Sequence, residues 1–326
     1  MVTGVYSERT HTATHVRPMD PRRDGRAVAA LLELCFHADG IDDGGQRLLN
    51  MLRHYGPFET WTLDGAPGFV WVDERGIVGN ASVQRNIARR DTWIVGNVAT
   101  HPDHRGRGIA TQLVEACVRH AIARGARFVA LQVHHDNPPA LRVYQKLGFK
   151  VLGNAIHYRH GPMSHHQPLV IAAHDATADF SIRNIHWRDR FSVWDLVQQN
   201  VPPDMTYAEP FDPKLYQLGL RWRFTNTMNG NPEHWRVGED NFGHLGAVRT
   251  RANQDQSEHH LELLLDDGAS PQMGAALVYA GLDRLRQYIS RPVLAVQART
   301  TPQTHEALQM CGFQPNRELV HMRLSA

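Results

Sequence analysis

The sequence VATHPDHRGRGIA, residues 98–110, lies where one structural periodicity gives way to another. Thr92–Thr100 is an apolar, β-favouring run, which predicts a strand that enters this stretch. From Ala110 to Ile122 apolar residues recur at helical spacing, which predicts an amphipathic helix that leaves it. A strand, a loop with Gly106 and Gly108, and a helix in this order are typical of an α/β fold.

The loop in this stretch, which we call the glycine loop (residues 101–108), has the composition of an anion-binding site. Glycines let the backbone approach an anion closely, and the N–H groups and dipole of the following helix attract negative charge. Arg105 and Arg107 add full positive charges. Since the pattern is neither GxxxxGKS/T nor GxGxxG, we predict a pyrophosphate cradle that differs from a P-loop and from a Rossmann fingerprint. In the alternative interpretation, Gly106 and Gly108 are only turn residues.

Strands and helices alternate on both sides of the glycine loop, which predicts a mixed α/β sheet. The predicted strands are Thr14–Met19, Gly68–Asp73, Ile77–Gln84, Arg127–Val133, Phe149–Tyr158 and Leu169–Ala173, and the predicted helices are Asp24–His37, Gly45–Tyr55 and Asn137–Leu147.

The second half of the chain repeats the first. Shifted by 164 positions, Arg127–Phe149 falls on Arg291–Phe313 without a gap, and 6 of the 23 pairs are identical. We therefore predict two copies of one α/β unit. The expected boundaries are a flexible N-terminus at 1–13, a first copy at 14–174 and a second copy at 175–326, which is expected to lack the final strand.

The bulk composition bounds the function classes. The chain has 326 residues, a length typical of two domains, and its 42% hydrophobic and 21% charged residues exclude a disordered, collagen-like or disulfide-stapled chain. A net charge of +2 argues against a nucleic-acid partner. No apolar run reaches the roughly 18 residues of a membrane-spanning helix. Because residues 1–13 lack the apolar core of a secretory signal, we expect a cytoplasmic protein with no membrane partner.

Cysteine and histidine usage gives no metal signature. Cys35, Cys117 and Cys311 are far apart in helix-like patterns, which indicates small buried side chains in a reducing compartment. Although 21 histidines are present, adjacent pairs such as His134-His135 point to opposite faces of a strand. No HExxH or Cys/His spacing occurs, so we predict no metal site.

Two motifs in the first copy resemble those of the GCN5-related N-acetyltransferase (GNAT) superfamily. The family's acyl-CoA loop, Gln/Arg-x-x-Gly-x-Gly/Ala, matches Arg105, Gly108 and Ala110. Its downstream signature, Asn-x-x-Ala-x-x-x-Tyr-x-x-x-Gly-Phe, matches at every position, namely Asn137, Ala140, Tyr144, Gly148 and Phe149. The resemblance covers 14–173, and the repeat extends it more weakly to the C-terminus, which implies two tandem GNAT-like domains with a degenerate second one.

The resemblance implies an N-acetyltransferase that uses acetyl-CoA as cosubstrate and acetylates the primary amine of a small molecule by direct attack. A backbone N–H near Val98 would polarise the thioester carbonyl, and Tyr144 would protonate the leaving thiolate as general acid. Tyr144 as a packing aromatic, and Asn137 as only a helix N-cap, remain open. The residues implied to bind the cofactor are Val98, Thr100, Arg105, Gly106, Arg107, Gly108, Ile109, Ala110 and Asn137.

The general base is less well defined. Many family members carry a Glu on the strand before the loop, whereas residues 93–97 of this chain contain no carboxylate. His134, at the end of the neighbouring predicted strand, has an apt reference pKa and is our candidate base. A solvent-facing histidine is the alternative, and Glu33, Glu59 or a water chain stay open.

In the second copy the motifs are lost. At the 164 offset Arg105 becomes Ala269, Gly108 becomes Gln272, and the acidic pair 266–267 precedes the loop, where it would repel a pyrophosphate. We therefore predict that the second copy neither binds CoA nor catalyses. The aromatic, proline-rich stretch 201–222 is expected either to wall the acceptor pocket or to pack on its own core.

Two other functions remain open at this point. The missing strand carboxylate is compatible with a non-catalytic acetyl-CoA-binding sensor, and the acceptor could be a protein or peptide in place of a small molecule. The sequence is also compatible with a homodimer.

Overall fold

The computed structural model describes residues 15–36, 68–86, 88–162, 179–208, 213–216, 232–253 and 258–326. The chain divides into two compact units, each of which is described by itself. The first unit contains residues 1–85 and 91–129 together with Ala326, and the second contains residues 86–90 and 130–325. The predictions for Gly45–Tyr55 and Leu169–Ala173 lie outside the described residues.

The first unit is an antiparallel sheet with two described helices. Its strands lie in chain order and are β1 (Val16–Pro18), β2 (Gly68–Asp73), β3 (Gly76–Arg85) and β4 (Thr92–Thr100). Its helices are α1 (Pro21–Phe36) and α2 (Ile109–Ala123), with a 3-10 turn at Pro102–His104. These elements confirm the predicted order strand, glycine loop, helix.

Close packing of α2 on the sheet fixes the N-terminus of this helix, where the glycine loop ends. A Cβ at Gly79 of β3 would lie 2.7 Å from Cγ2 of Ile109 and 2.9 Å from a methyl of Leu113. Only glycine allows the helix to approach the strand so closely. Ile109 and Leu113 are buried as a result.

The second unit is a larger mixed sheet. The order of its strands is β5-β12-β6-β11-β10-β9-β8-β7. β10 and β11 pair in parallel, and the other registered pairs in this unit are antiparallel. The strands are β5 (Phe128–His134, from residue 130 onward in this unit), β6 (Lys150–His160), β7 (Phe180–Asn184), β8 (Glu233–Asp240), β9 (Leu245–Arg251), β10 (His259–Leu265), β11 (Val293–Gln297) and β12 (Gln314–Ser325).

Four described helices belong to the second unit: α3 (Pro138–Lys146), α4 (Arg190–Asn200), α5 (Pro271–Leu285) and α6 (Pro302–Met310). α5 repeats the packing of α2, because a Cβ at Gly246 of β9 would lie 2.7 Å from a methyl of Leu277. Gly79 and Gly246 thus play the same packing role in the first and the second unit.

The compact units do not follow the predicted repeat boundaries. β6, which the repeat assigns to the first copy, lies in the second unit between β12 and β11. β12 is its counterpart at the 164 offset, since Lys150 falls on Gln314. The boundaries 14–174 and 175–326 therefore stay a prediction about repeated copies, and compactness divides the chain elsewhere.

The three cysteines are free thiols. Cys117 and Cys311 are buried, Cys35 is half-buried, and none forms a disulfide. Burial raises the pKa of the Cys311 thiol to about 12.

In the part of the chain that the structure describes, no helix is long and apolar enough to cross a membrane. Over the same residues, no group of three or more His, Cys, Asp or Glu side chains could hold a metal ion.

A buried histidine in the second unit predicts acid sensitivity. Burial lowers the pKa of His321 to about 4, although its hydrogen bond with the Met205 carbonyl acts in the opposite direction. Nδ1 lies 3.3 Å from that carbonyl and Nε2 lies 3.1 Å from the Gln132 amide nitrogen, so the neutral ring donates once and accepts once. Protonation would remove the acceptor.

We expect the unfolding free energy to fall as the pH drops from about 6.5 to 4, because only the unfolded state binds the proton in that window. The contribution of His321 is on the order of 3 kcal/mol at most. In His321→Gln the decline, measured by urea unfolding at several pH values, should be shallower. His135→Gln, a change at an exposed histidine, should retain the wild-type slope. Identical slopes for wild type and His321→Gln would contradict this assignment.

Candidate functional site

A β-bulge in β4 precedes the glycine loop. β3 and β4 are in register at Asn80↔Ala99 and at Ser82↔Gly96, so two residues of β4 lie opposite one residue of β3. Asn97 adopts a left-handed φ of 51°. A bulge leaves its extra residue out of the ladder, and bulges are frequent beside active sites. The backbone of Asn97 and Val98 is thereby freed from pairing with β3.

Side chains of β3 hold this bulge in place. The Asn80 amide donates to the Asn97 carbonyl at 2.9 Å, and the Asn97 amide donates to Ser82 Oγ at 2.9 Å. Ser82 Oγ in turn donates to the Gly96 carbonyl at 2.8 Å. Because the Asn97 side chain is engaged in this network, it positions backbone and does not offer a base.

The two glycines of the glycine loop adopt a backbone conformation that favours glycine. Gly106 and Gly108 have φ values of 78° and 76°, in the left-handed region that favours glycine. A Cβ at either position would meet no atom within 4 Å. The backbone at this point therefore faces open space that an approaching ligand can occupy.

The N-terminus of α2 is prepared for an anion. Gly108 is its N-cap residue, and no side chain caps the helix. The N–H groups of the first turn have no intrahelical acceptor, so they and the helix dipole attract negative charge. Arg105 and Arg107 precede the N-cap residue Gly108 in the sequence. This arrangement fits a phosphate or pyrophosphate group.

Contacts within the first unit fix the glycine loop. Nε2 of the buried His104 lies 2.8 Å from a carboxylate oxygen of Asp73. Nδ1 of His101 accepts a hydrogen bond from the Asp103 N–H at 3.3 Å, and Nε of Arg105 donates to the Thr100 carbonyl at 3.4 Å. The hydroxyl of Thr100 is buried without a hydrogen-bond partner in the described residues. The loop is thus preorganised while its glycines remain uncovered.

The downstream motif lies on α3 in the second unit. The Asn137 side chain accepts a hydrogen bond from the Ala140 N–H at 3.1 Å, so this residue is the N-cap of α3. The cap is compatible with both interpretations of Asn137, and its contact with the cofactor stays a prediction. Tyr144 is buried with 6% of its surface exposed, and its ring packs edge-on against Phe149 with centroids 6.1 Å apart.

The candidate general bases lie in different parts of the chain. His134 ends β5 in the second unit, and its Nδ1 lies 3.9 Å from the exposed carboxylate of Asp136. Glu33 lies on α1 in the first unit and is half-buried. Glu59 lies outside the described residues.

In the second unit, the N-terminus of α5 and the backbone groups at the end of β10 are bound by side chains of the chain itself. Ser270 caps α5 by accepting from the Met273 N–H at 3.2 Å, and Pro271 at the first helical position has no N–H to offer. The Asn200 side chain binds both the carbonyl and the N–H of Leu265 at the end of β10. Gln297 donates to the Leu263 carbonyl at 3.3 Å. The chain itself therefore occupies the backbone groups that a strand-like ligand would need.

Part of the proline- and aromatic-rich stretch 201–222 also packs within the second unit. Arg89 and Arg323 lie over the Tyr207 ring, 3.8 Å and 4.5 Å from its centroid. Tyr216 packs edge-on against Trp235. These contacts favour the interpretation as a segment packed on its own core, and Pro210, Phe211 and Trp222 lie outside the described residues.

The sequence matches a known family over its first part. Residues 27–149 match the sequence model of the acetyltransferase (GNAT) family. A mycothiol acetyltransferase of Corynebacterium glutamicum strain R is 36% identical over 99 residues, which are 30% of this chain and 32% of that protein. An uncharacterised N-acetyltransferase of Methanocaldococcus jannaschii is 35% identical over 101 residues, 31% of this chain and 42% of that protein. The matches thus span between about a third and two-fifths of those relatives.

Solved structures extend the similarity to nearly the whole chain. A GNAT protein from Sphaerobacter thermophilus superimposes with a TM-score of 0.62 at 17% identity, over 95% of both chains. A tandem GNAT protein from the clavulanic acid biosynthesis pathway superimposes with a TM-score of 0.53 at 14% identity, over 95% of this chain and 98% of that one. At these identities the similarity shows the fold. The chain therefore has a mixed α/β fold similar to that of GNAT proteins, one of them a tandem GNAT protein, and the sequence match to the GNAT family covers residues 27–149.

Proposed function

We propose that the chain is an acetyl-CoA-dependent N-acetyltransferase that acetylates the primary amine of a small molecule, with the chemistry confined to the first copy. The observation that carries the proposal is the uncapped, glycine-lined N-terminus of α2, which carries Arg105 and Arg107 beside it. A pyrophosphate such as that of CoA has the charge and the compact oxygens that this site would bind.

In this proposal the bulge supplies the electrophilic contact. Asn97 and Val98 are out of register with β3, so the Val98 N–H is available to polarise the thioester carbonyl and to stabilise the oxyanion that forms on it. Thr100 would continue the strand edge that the pantetheine arm follows, and Ile109 and Ala110 would contribute N–H groups to the phosphates.

Two proton transfers complete the reaction. The attacking amine must lose a proton, and His134 is the proposed base. The C–N bond forms first and gives the oxyanion, and the C–S bond breaks when the carbonyl reforms, so that the departing thiolate takes a proton from the Tyr144 hydroxyl. Phenol and free thiols have similar reference pKa values, about 10 and 8.5, so this transfer needs little driving force. The second role of Asn137, contact with the pantetheine arm, stays a prediction.

The proposal is tested by release of free CoA from acetyl-CoA in the presence of a panel of small amines, with thiol detection and mass spectrometry of the products. We expect turnover with at least one small amine above the hydrolysis background. Turnover only with peptide or protein amines would replace the acceptor class by a protein substrate.

A non-catalytic acetyl-CoA sensor is the second candidate. The observation that favours it is the lack of a carboxylate in residues 93–97, where Asn97 is engaged in structural hydrogen bonds. A sensor binds acetyl-CoA and acetylates nothing across small-molecule, peptide and protein amines. The presence of Tyr144, whose counterpart at the 164 offset is Leu308, favours the enzyme.

A further inference from the structure

The second unit contains a cavity that the proposed acetyl transfer does not use. Its volume is about 250 Å³, less than the roughly 300–1,000 Å³ of sites for drug-sized ligands. It lies on the face of the sheet formed by β9, β10 and β11, and Asn200, Met205 and Tyr216 close its sides.

Strand alternation divides the floor of this cavity into a polar and an apolar half. Successive side chains of a strand point to opposite faces. On β10, Leu261 and Leu263 belong to the core on the other face, which leaves His260 and Glu262 facing the cavity. On β11 the corresponding residues are aliphatic. The polar half consists of Arg249, Arg251, His260 and Glu262, and the apolar half of Leu264, Leu294, Val296 and Ala298.

One of the two arginines already has its charge balanced. Arg249 is 9% exposed and forms ion pairs with Glu233 and Glu262. Glu262 also accepts a hydrogen bond from the Tyr216 hydroxyl at 2.6 Å. A buried cation held by two carboxylates is a fixed wall of the cavity and not a free binding group.

The other arginine has no such partner. Arg251, two residues further along the same strand, forms no ion pair or side-chain hydrogen bond with any residue that the structure describes. Its Nε is buried without an acceptor. Burial lowers its pKa and the neighbouring Arg249 acts in the same direction, whereas the carboxylates of Glu233 and Glu262, which are engaged by Arg249, act in the opposite direction. A partly buried guanidinium with an unsatisfied N–H gains from an anion that accepts its hydrogen bonds.

We propose that this cavity binds a small amphipathic carboxylate, with its carboxylate on Arg251 and its apolar body on Leu294 and Val296. A guanidinium forms two parallel hydrogen bonds with a carboxylate, which provides both charge and geometry. Burial lowers the pKa of His260 to about 4, so its neutral ring is present near pH 7 as an additional donor. The charge of Glu262 is offset by its ion pair with Arg249, and its carboxylate also accepts a hydrogen bond from Tyr216.

This site is distinct from an acyl-CoA site in chemistry as well as in position on the chain. The capped N-terminus of α5 offers no pyrophosphate cradle, and Asn200 and Gln297 fill the strand edge. The proposal therefore does not rest on the proposed acetyl transfer, and either can fail without the other.

The test uses the full chain and isothermal titration with hexanoate, with hexanamide and hexylamine as probes of equal length and different charge. We expect wild type to bind hexanoate at least about tenfold more tightly than hexanamide, because only the carboxylate forms charge-assisted hydrogen bonds. Arg251→Gln should remove this preference, and Arg251→Lys, which keeps the charge but loses the fork, should retain part of it. Arg188→Gln removes an exposed arginine of the same unit and should bind as wild type does.

The comparison of probes on wild type does not depend on any variant folding, and circular dichroism checks the variants. Equal binding of hexanoate and hexanamide, stronger binding of hexylamine, no binding of any probe, or unchanged hexanoate binding by folded Arg251→Gln would each overturn the proposal. Acetyl-CoA affinity should be the same in wild type and Arg251→Gln, so loss of hexanoate binding alone separates this site from the first copy.

Discussion

Gly108→Glu is expected to abolish acetyl-CoA binding. The substituted residue is the N-cap of α2, where no protein atom lies within 4 Å of a Cβ, so the new side chain enters the space assigned to the pyrophosphate and not the core. A carboxylate about 4 Å from a phosphate charge is repelled by roughly 4 kcal/mol at an effective dielectric constant of 20. That energy corresponds to a loss of affinity of about a thousandfold. Isothermal titration with acetyl-CoA measures it directly.

The chain offers a matched control at the other end of the same helix. Gly125 has a φ of 80°, against 76° for Gly108, and a Cβ there also meets nothing within 4 Å. Gly125→Glu therefore carries the same backbone strain and the same added charge, away from the proposed ligand. It should bind acetyl-CoA as wild type does. Wild-type affinity in Gly108→Glu, or equal losses in both variants, would show that the glycine loop is not the cradle.

The second large effect is expected for Tyr144→Phe. The substitution removes one hydroxyl and keeps the ring that packs against Phe149, so the fold should be retained. General acid catalysis contributes about 10²- to 10⁴-fold, and we expect kcat to fall by that order in the CoA-release assay. Acetyl-CoA affinity should change little, because the hydroxyl acts on the departing thiolate and not on the phosphates.

Tyr279→Phe is the control for the loss of a tyrosine hydroxyl. Its hydroxyl donates to the Met310 carbonyl at 3.2 Å, outside both motifs. It should turn over at the wild-type rate. If Tyr144→Phe also retained the wild-type kcat, Tyr144 would be a packing residue, and the proton would have to come from another group.

The features of the candidate site that depend on local backbone chemistry agree with the residue types at those positions in the sequence. Gly106 and Gly108 have the positive φ that a loop leading into a helix requires, and Asn137 caps α3 as an asparagine before a helix commonly does. These are short-range effects of residue type on the adjacent backbone, which is why spacing alone could indicate them.

The bulge at Asn97 was not predicted. The pair Gly96-Asn97 inside an apolar strand is the signal that could have indicated it, since both residue types tolerate unusual backbone angles. Its position depends on Asn80 and Ser82 of the neighbouring strand, which periodicity along β4 does not contain.

The sequence also does not predict which strands pair with one another. The pattern of Phe149–Tyr158 predicted a strand, but not that it pairs with β11 on one side and β12 on the other. Alternation identifies which face of a strand is buried and leaves its neighbours undetermined. The same limit applied to the cavity of the second unit, where Arg249, Arg251 and Glu262 come from two strands and meet only in the folded sheet.

The central claim is that one of two similar copies has kept the cofactor site. The most direct measurement is the stoichiometry of acetyl-CoA binding to the full chain by isothermal titration. We expect one acetyl-CoA per chain for wild type and for Gly125→Glu, and none for Gly108→Glu. Two molecules per chain, or one molecule that remains in Gly108→Glu, would place a cofactor site in the second copy and contradict the account.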